Sequence, residues 1–306
     1  MPPVPKGESM IINFIKGMVI GLALVIPGLS ASTFAVVTGL YDNIIFAANN
    51  LRKEFRQSFL FLLPIGLGAG IGILASVSAV MHLMYAFPLQ SYAFFVGLVL
   101  GSVPIMYGKI KGGLQTKTNY VFLVVGFVII VVLGFIVPSD DVIAIYSIEN
   151  VGNFISILTA GIIACFLLAV PGISGALILI LLGQFGTVYG AVESFAVMLL
   201  MLLRGQEGAI EIALESGAIV LTFFVGALIG LFAAAKIIGY LLERHEIKVY
   251  FAVMGLVLGA VVTLFNFGVV DHFMEISPAI LLNAAFLVVF AVIGFVCTKF
   301  MARWKS

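Results

Sequence analysis

The clearest chemical signal in the chain is a short element of proline, glycine and serine that occurs twice. It lies in the middle of a long apolar run each time, as IPGLS at residues 26–30 and as VPGIS at residues 170–174. Proline lacks an N–H group and breaks a helix, glycine permits a tight turn, and serine caps the helix that follows. The pattern therefore predicts two places where an apolar helix stops, turns and starts again.

A helix that restarts inside a membrane directs free N–H groups, the positive end of its dipole and nearby hydroxyls at one point, which suits an anion. The candidate binding residues are Gly28, Ser30, Ser32 and Thr33 in the first half and Gly172, Ser174 and Gly175 in the second. Two such turns that meet from opposite faces predict one anion pocket. A second interpretation stays open: Pro27 and Pro171 only kink two helices and let them pack closely.

The composition excludes a soluble domain. Of the 306 residues, 63% are hydrophobic and 9% are charged, and the net charge is +1. Soluble domains carry about 25% charged residues. The apolar runs are long and continuous, which predicts spanning helices and not the alternating strands of a barrel. Without a basic excess, nucleic acid is not an expected partner.

The chain consists of two similar halves. The string GLVLG occurs at Gly97–Gly101 and again at Gly255–Gly259, and Gly72 and Gly230 precede the two copies by the same distance. Several matches in the same order indicate an internal repeat. Because the first apolar run recurs in mid-chain, we expect it to be a structural unit and not a cleaved signal peptide.

Each half is predicted to hold one long apolar run and three runs that suit a single crossing. The first half (1–149) has a long run at 10–49 and spans at 59–86, 90–108 and 119–137; the second half (150–306) has a long run at 153–192 and spans at 217–242, 249–268 and 279–298. The turns within the long runs carry no charge, which favours re-entrant hairpins over paired full spans. Such a turn is tolerated at membrane depth where protein or a watery cavity surrounds it.

The distribution of lysine and arginine orients the chain. Most of these residues fall on one side of the predicted spans, and the positive-inside rule then places both termini in the cytoplasm. Because each long run starts and ends on one side, the second half is upside down relative to the first, an arrangement associated with transporters. The predicted fold class is an all-α polytopic membrane protein with two inverted-topology repeats, each a re-entrant hairpin plus three transmembrane helices.

Five charged or titratable residues are further candidates, each with a second interpretation. Asp42 carries a coupling proton, or it is a solvated helix end. Arg52 and Arg204 follow the two hairpins and can hold a phosphate at opposite surfaces, but positive-inside anchoring also explains Arg52. Lys236 lies within a span and either binds substrate or extends its amine to the interface. His82 is a candidate gating or coupling group, or it packs at the interface.

The two hairpin elements resemble those of the bacterial undecaprenyl-phosphate transporter family, formerly a membrane domain of unknown function. The first family signature runs approximately PGxSGGT, then G-x-Tyr-Glu, and here Pro27–Thr33 is PGLSAST and Gly39–Asp42 is GLYD. The second, PGxSG followed by LLG, matches Pro171–Gly175 and Leu181–Gly183. The resemblance covers both halves. Phe185-Gly186 stands where Tyr-Glu is expected, so a role for that second acid does not carry over.

The resemblance implies a flippase that returns undecaprenyl phosphate, the lipid carrier of cell-wall synthesis, from the outer to the cytoplasmic leaflet of the bacterial inner membrane. In that case the phosphate is held at the paired Pro-Gly-x-Ser turns, while the tail stays in membrane lipid. A proton or sodium gradient is the expected drive, and no cofactor is expected. Assembly into a homo-oligomer is open.

Two other classes of function remain as alternatives. Helix N-termini that bind an anion would equally suit a transporter of a small anion. For such a transporter we expect a sealed aqueous pocket in place of a lateral opening to lipid. Undecaprenyl-pyrophosphate phosphatases also use inverted hairpins and a PGxS-like element, but they need glutamates and an arginine beside the serine. Here Ala31 and Gly175 follow the serines and neither turn has a carboxylate, so an enzyme is not expected.

Overall fold

The computed structural model describes residues 9–29, 31, 34–35, 38–50, 53–114, 116–136, 147–168, 174–206, 208–273 and 280–303, and within these ranges the structure is helical without strands. In chain order the main helices are α1 (Met10–Val25), α2 (Tyr41–Asn50), α3 (Phe55–Ala86), α4 (Pro88–Ile110), α5 (Lys117–Ile136), α6 (Val151–Leu168), α7 (Gly175–Leu181), α8 (Phe185–Leu203), α9 (Ala209–Thr263) and α10 (Ile280–Arg303). A π-helix, Leu264–Val270, continues α9.

Eight helical stretches in the described ranges are long and apolar enough to cross a membrane. They are α3, α4, α5, α6, α8, both parts of α9 and α10, while the apolar helix α1 is shorter. Helix α9 counts twice because the backbone of His245 is not helical, so residues 209–244 form a first arm and 246–263 a second arm. Helix α8 runs to Leu203, beyond the predicted hairpin limit of 192, since no glycine or proline interrupts it after Gly190.

Helices α1 and α3 cross in close contact and run parallel. A Cβ atom added at Gly17 would collide with the carbonyl oxygen of Ile65, and one added at Gly21 would collide with that of Ala69. Contacts of this kind between small residues and backbone are typical of membrane helices. Because the two helices advance in the same direction, the chain between Val25 and Phe55 must return to the side where α1 begins.

The second half repeats this crossing at matching positions. A Cβ at Gly226 would meet the carbonyl of Leu158, and one at Gly230 would meet that of Ile162, so α6 runs parallel to the first arm of α9. Gly68 and Gly72 make the same two contacts with Phe14 and Met18 of α1. The chain after α6 therefore also returns to its starting side.

The helix backbone is interrupted after α3 and again after the first arm of α9. Phe87, the residue that follows α3, has φ −137° and ψ 60°. The Ser91 hydroxyl donates to the carbonyl of Leu83 at 3.0 Å, which is possible only because the chain folds back there; in a continuous helix residues eight apart lie about 12 Å from each other. His245, with φ −138° and ψ 37°, stands as far after Gly230 as Phe87 stands after Gly72.

The two GLVLG strings join the halves. The first, in α4, packs on α10, where the Thr298 hydroxyl donates to the Leu98 carbonyl at 2.9 Å. The second, in the second arm of α9, packs on α5, where a Cβ at Gly255 would collide with the carbonyl of Leu123. Each string therefore contacts the last helix of the other half.

Helix α4 and the second arm of α9 run antiparallel. The Lys109 amine lies 5.4 Å from the centre of the Tyr250 ring, at the end of one helix and the start of the other. At the opposite end, the Tyr92 ring stacks on His272 with 5.7 Å between ring centres. These two helices occupy matching places in the sequence repeat.

The close crossing of α1 and α3 predicts opposite effects of alanine at two glycines of α3. Gly72→Ala places a methyl group against the backbone of Met18, which we expect to destabilise the fold by about 1–3 kcal/mol. Gly70 has open space around it, and Gly70→Ala should raise stability slightly, by up to about 1 kcal/mol, through helix propensity. Thermal unfolding in detergent micelles measures both, and equal shifts of the midpoint would contradict the crossing.

Candidate functional site

The first Pro-Gly-x-Ser element forms a tight turn at the end of α1. The Leu29 amide donates to the Ile26 carbonyl at 3.2 Å, and Gly28 has φ +87°, a conformation that favours glycine. A Cβ at Gly28 would come within 2.9 Å of the Leu98 Cβ. Since Leu98 lies near the middle of α4, the turn is level with the middle of a helix long enough to span a membrane.

The second element places Ser174 at the residue before α7. Its backbone is extended, as at a helix N-cap, but its hydroxyl makes no capping hydrogen bond. The residue is only 3% exposed, and its Oγ has no hydrogen-bond partner among the described residues. A buried hydroxyl left unpaired costs about 1–3 kcal/mol, so a donor is retained here at a cost to stability. Gly175 follows as the first residue of α7 and is half-buried.

The two turns share one small cavity. Gly28 and Ser174 line it together with residues of the two antiparallel helices, Val99, Ser102, Leu256, Val257 and Ala260, and with Leu177 and Ile178 of α7. Its volume is about 10 Å³, which accommodates about one water molecule. Residues of both halves therefore enclose one small cavity, in which Ser102 and Ser174 are the polar lining residues.

A hydrogen bond links the two hairpin regions beside this cavity. The Tyr189 hydroxyl of α8 donates to the carbonyl of Leu24 in the last turn of α1 at 2.8 Å. Carbonyls in the last turn of a helix lack an intrahelical donor, so Tyr189 satisfies a group that α1 cannot satisfy by itself. The bond fixes the end of α1 against the second half.

Sequence reasoning missed Ser102, although a signal was present. Ser102 directly follows the first GLVLG string, and Ala260 directly follows the second, so the two occupy matching walls of the cavity. The Ser102 hydroxyl donates to the Val99 carbonyl at 2.7 Å, within its own helix. Comparing the residue after each string would have marked this position. The pairing of Tyr189 with Leu24 had no such signal.

The other predicted site residues are not brought to the cavity by the described parts of the chain. Ser30, Ser32, Thr33, Arg52, Pro171 and Gly172 lie outside the described residues. Asp42 lies in α2 and Lys236 in the first arm of α9, and their side chains are not described. His82 on α3 and Arg204 at the end of α8 are exposed, whereas Pro27 is buried in the first turn. Their roles in binding and coupling stay predictions.

Fold and cavity together define a multi-pass α-helical membrane protein with a small buried cavity that residues of both halves line. Residues 20–280 match the sequence model of the VCA0040-like family, described as undecaprenyl phosphate translocase-like. The chain belongs to this family.

Two curated relatives are similar over most of their length. The polyprenyl-phosphate transporter of Vibrio cholerae is 27% identical over 269 residues, which are 83% of this chain and 77% of the relative. The polyprenyl-phosphate transporter of Staphylococcus aureus is 26% identical over 257 residues, 83% of this chain and 86% of the relative. No solved structure matches the chain significantly.

The link between the hairpin regions predicts an effect of removing one hydroxyl. Tyr189→Phe leaves the part-buried Leu24 carbonyl without its donor, which should cost about 1 kcal/mol of stability. The matched control is Tyr85→Phe, because Tyr85 is 90% exposed and the same atom is lost without a buried partner. Thermal unfolding in micelles should give a lower midpoint for Tyr189→Phe alone; indistinguishable midpoints would show that the bond contributes nothing.

Proposed function

We propose that the protein carries undecaprenyl phosphate from the outer to the cytoplasmic leaflet of the bacterial inner membrane, with the phosphate held between its two Pro-Gly-x-Ser turns. Membership of the translocase-like family and the names of the two relatives support a polyprenyl-phosphate substrate. The main structural support is the buried, unpaired hydroxyl of Ser174 in a cavity that both turns line. A donor without an acceptor suits an anion.

The proposed architecture is a pair of inverted-topology repeats, each with a re-entrant hairpin and three spans. The antiparallel packing of α4 against the second arm of α9 supports the inversion, because these helices occupy matching places in the halves. The parallel crossings of α1 with α3 and of α6 with α9 support hairpins that return to their own side. The level of Gly28, beside the middle of α4, supports a turn inside the membrane.

The phosphate is proposed to bind through hydroxyl donors. Ser30, Ser32 and Thr33 supply the first turn and Ser174 supplies the second. Hydrogen bonds to an ionised oxygen are about twice as strong as neutral ones, so a few donors in a site shielded from water hold the group. The described lining has no carboxylate or histidine to act as a base, which favours transport of the intact phosphate over hydrolysis.

Transport requires the turns to separate. A cavity of about 10 Å³ has no room for a phosphate group, so the described conformation is closed around the proposed site. We propose that one repeat moves against the other and opens the cavity to each side in turn, as in other transporters built from inverted repeats. Arg204 at the end of α8, and Arg52, which follows α2 in the sequence, would collect the phosphate at the two surfaces. Asp42, His82 and Lys236 are candidates for coupling to a proton or sodium gradient.

Translocation of a fluorescent undecaprenyl phosphate in proteoliposomes tests the proposal. The double variant Ser30→Ala plus Ser174→Ala should lower the rate about tenfold or more, because it removes hydrogen bonds to a charged group worth about 1.5–3 kcal/mol each. Ser174→Ala alone should not lower the thermal midpoint, since the lost hydroxyl has no hydrogen-bond partner among the described residues. Ser76→Ala is the control: this buried serine donates within α3, to the Gly72 carbonyl at 2.7 Å, away from the cavity.

Two outcomes would contradict the proposal. Undiminished translocation by the double variant would move the phosphate site away from the turns. A wild-type protein that carries a small inorganic anion but no polyprenyl phosphate, under a proton or a sodium gradient, would favour the small-anion alternative. Loading the fluorescent lipid into one leaflet at a time measures the direction.

A further inference from the structure

We propose that the part of the polyprenyl chain next to the phosphate lies in an apolar groove between α3, α4 and α10. This tail groove has a volume of about 560 Å³. Its walls include Ile26, Leu83, Phe87, Phe94, Phe290 and Ile293. The inference rests on the proposed function and assigns the second half of the same substrate.

The chemistry of the tail groove suits a branched, unsaturated hydrocarbon. Of its lining residues, Gln90 and Ser91 are the polar ones; the Ser91 hydroxyl donates to the Leu83 carbonyl, and the Gln90 Oε1 is buried without a partner among the described residues. Phenylalanine rings from α4 and α10 form much of the remaining wall. A volume of about 560 Å³ lies in the range of pockets for drug-sized ligands, about 300–1,000 Å³, so the groove holds only a part of a long prenyl chain.

The tail groove adjoins the proposed phosphate site. Ile26 in its wall directly precedes Pro27 and Gly28, and Gly28 lines the small cavity that the two turns share. On α4, Phe95 lines the groove and Val99 lines the cavity, four residues further along the helix. One helical turn rises about 5.4 Å, so the two spaces are about one turn apart. A lipid with its phosphate in the cavity therefore has its first isoprene units at the groove.

The side chains that line the tail groove are not all repeated at the matching crossing of α5 with the second arm of α9. In the matching place of the other half, Ala252 stands where the groove has Phe94. The helix crossing itself is alike in both places, because a Cβ at Gly126 would collide with the Ala252 carbonyl as one at Gly294 would collide with the Phe94 carbonyl. The reversal in that half carries His245, where the groove has Phe87.

Filling the tail groove should slow transport. Ile293 is 44% exposed in the wall, so Ile293→Trp can extend its ring into the groove without displacing buried core. Val292→Trp is the matched control. Val292 is the residue before Ile293 on α10, it is 53% exposed, and it does not belong to the groove lining. We expect Ile293→Trp to lower the rate of undecaprenyl phosphate translocation about tenfold and Val292→Trp to leave it unchanged.

Photolabelling locates the chain directly. An undecaprenyl phosphate analogue with a diazirine on an isoprene unit near the phosphate should label peptides that contain residues 80–95 and 286–293 of the wild-type protein. Unlabelled undecaprenyl phosphate should compete with this labelling, and Ile293→Trp should reduce it.

The outcomes separate the two proposals. If the wild type translocates the lipid, but label falls elsewhere and Ile293→Trp behaves like Val292→Trp, the tail groove is wrong and the proposed function stands. Labelling of these peptides by a diazirine phosphatidylglycerol that undecaprenyl phosphate does not displace would show an ordinary membrane lipid in the groove and overturn the inference. If the wild type translocates no polyprenyl phosphate, both proposals fail.

Discussion

The close parallel crossing of α1 with α3, repeated by α6 with the first arm of α9, is the constraint on which the rest of the structure depends. Glycines at Gly72 and Gly230 bring a helix backbone against its neighbour, and no side chain of any size fits between them. Parallel neighbours oblige the chain to return within the intervening segment. Each intervening segment contains a Pro-Gly-x-Ser element, and Gly28 and Ser174 of these two elements line the same cavity.

The same geometry explains why the centre is polar in so apolar a chain. The antiparallel helices α4 and α9 bring Ser102 and Ala260 to one cavity, where the turns add Gly28 and Ser174. Stability alone would not retain the unpaired Ser174 hydroxyl, because alanine would fill the position without the cost of desolvation. In our account a phosphate is the missing partner. Away from this centre, α3, α4 and α10 form the apolar tail groove.

Much of this fold could be predicted from the sequence, because helix breaks and repeats leave local signals. Proline and glycine marked the end of α1, and the spacing of Gly72 and Gly230 from the GLVLG strings marked the glycines that lie in matching crossings. What stayed hidden depends on distant side chains in three dimensions. No local pattern indicates that Tyr189 pairs with Leu24, 165 residues away, or that Phe94 and Phe286 line one groove.

Substrate protection of a cysteine at the second turn tests the central claim most directly. Ser174→Cys, in a protein in which Cys165 and Cys297 are replaced by alanine, would be alkylated by a thiol reagent whenever the cavity opens. The account predicts slow alkylation that undecaprenyl phosphate suppresses and an uncharged polyprenol does not, because the phosphate occupies the site. Equal alkylation rates with and without undecaprenyl phosphate would show that the phosphate binds elsewhere.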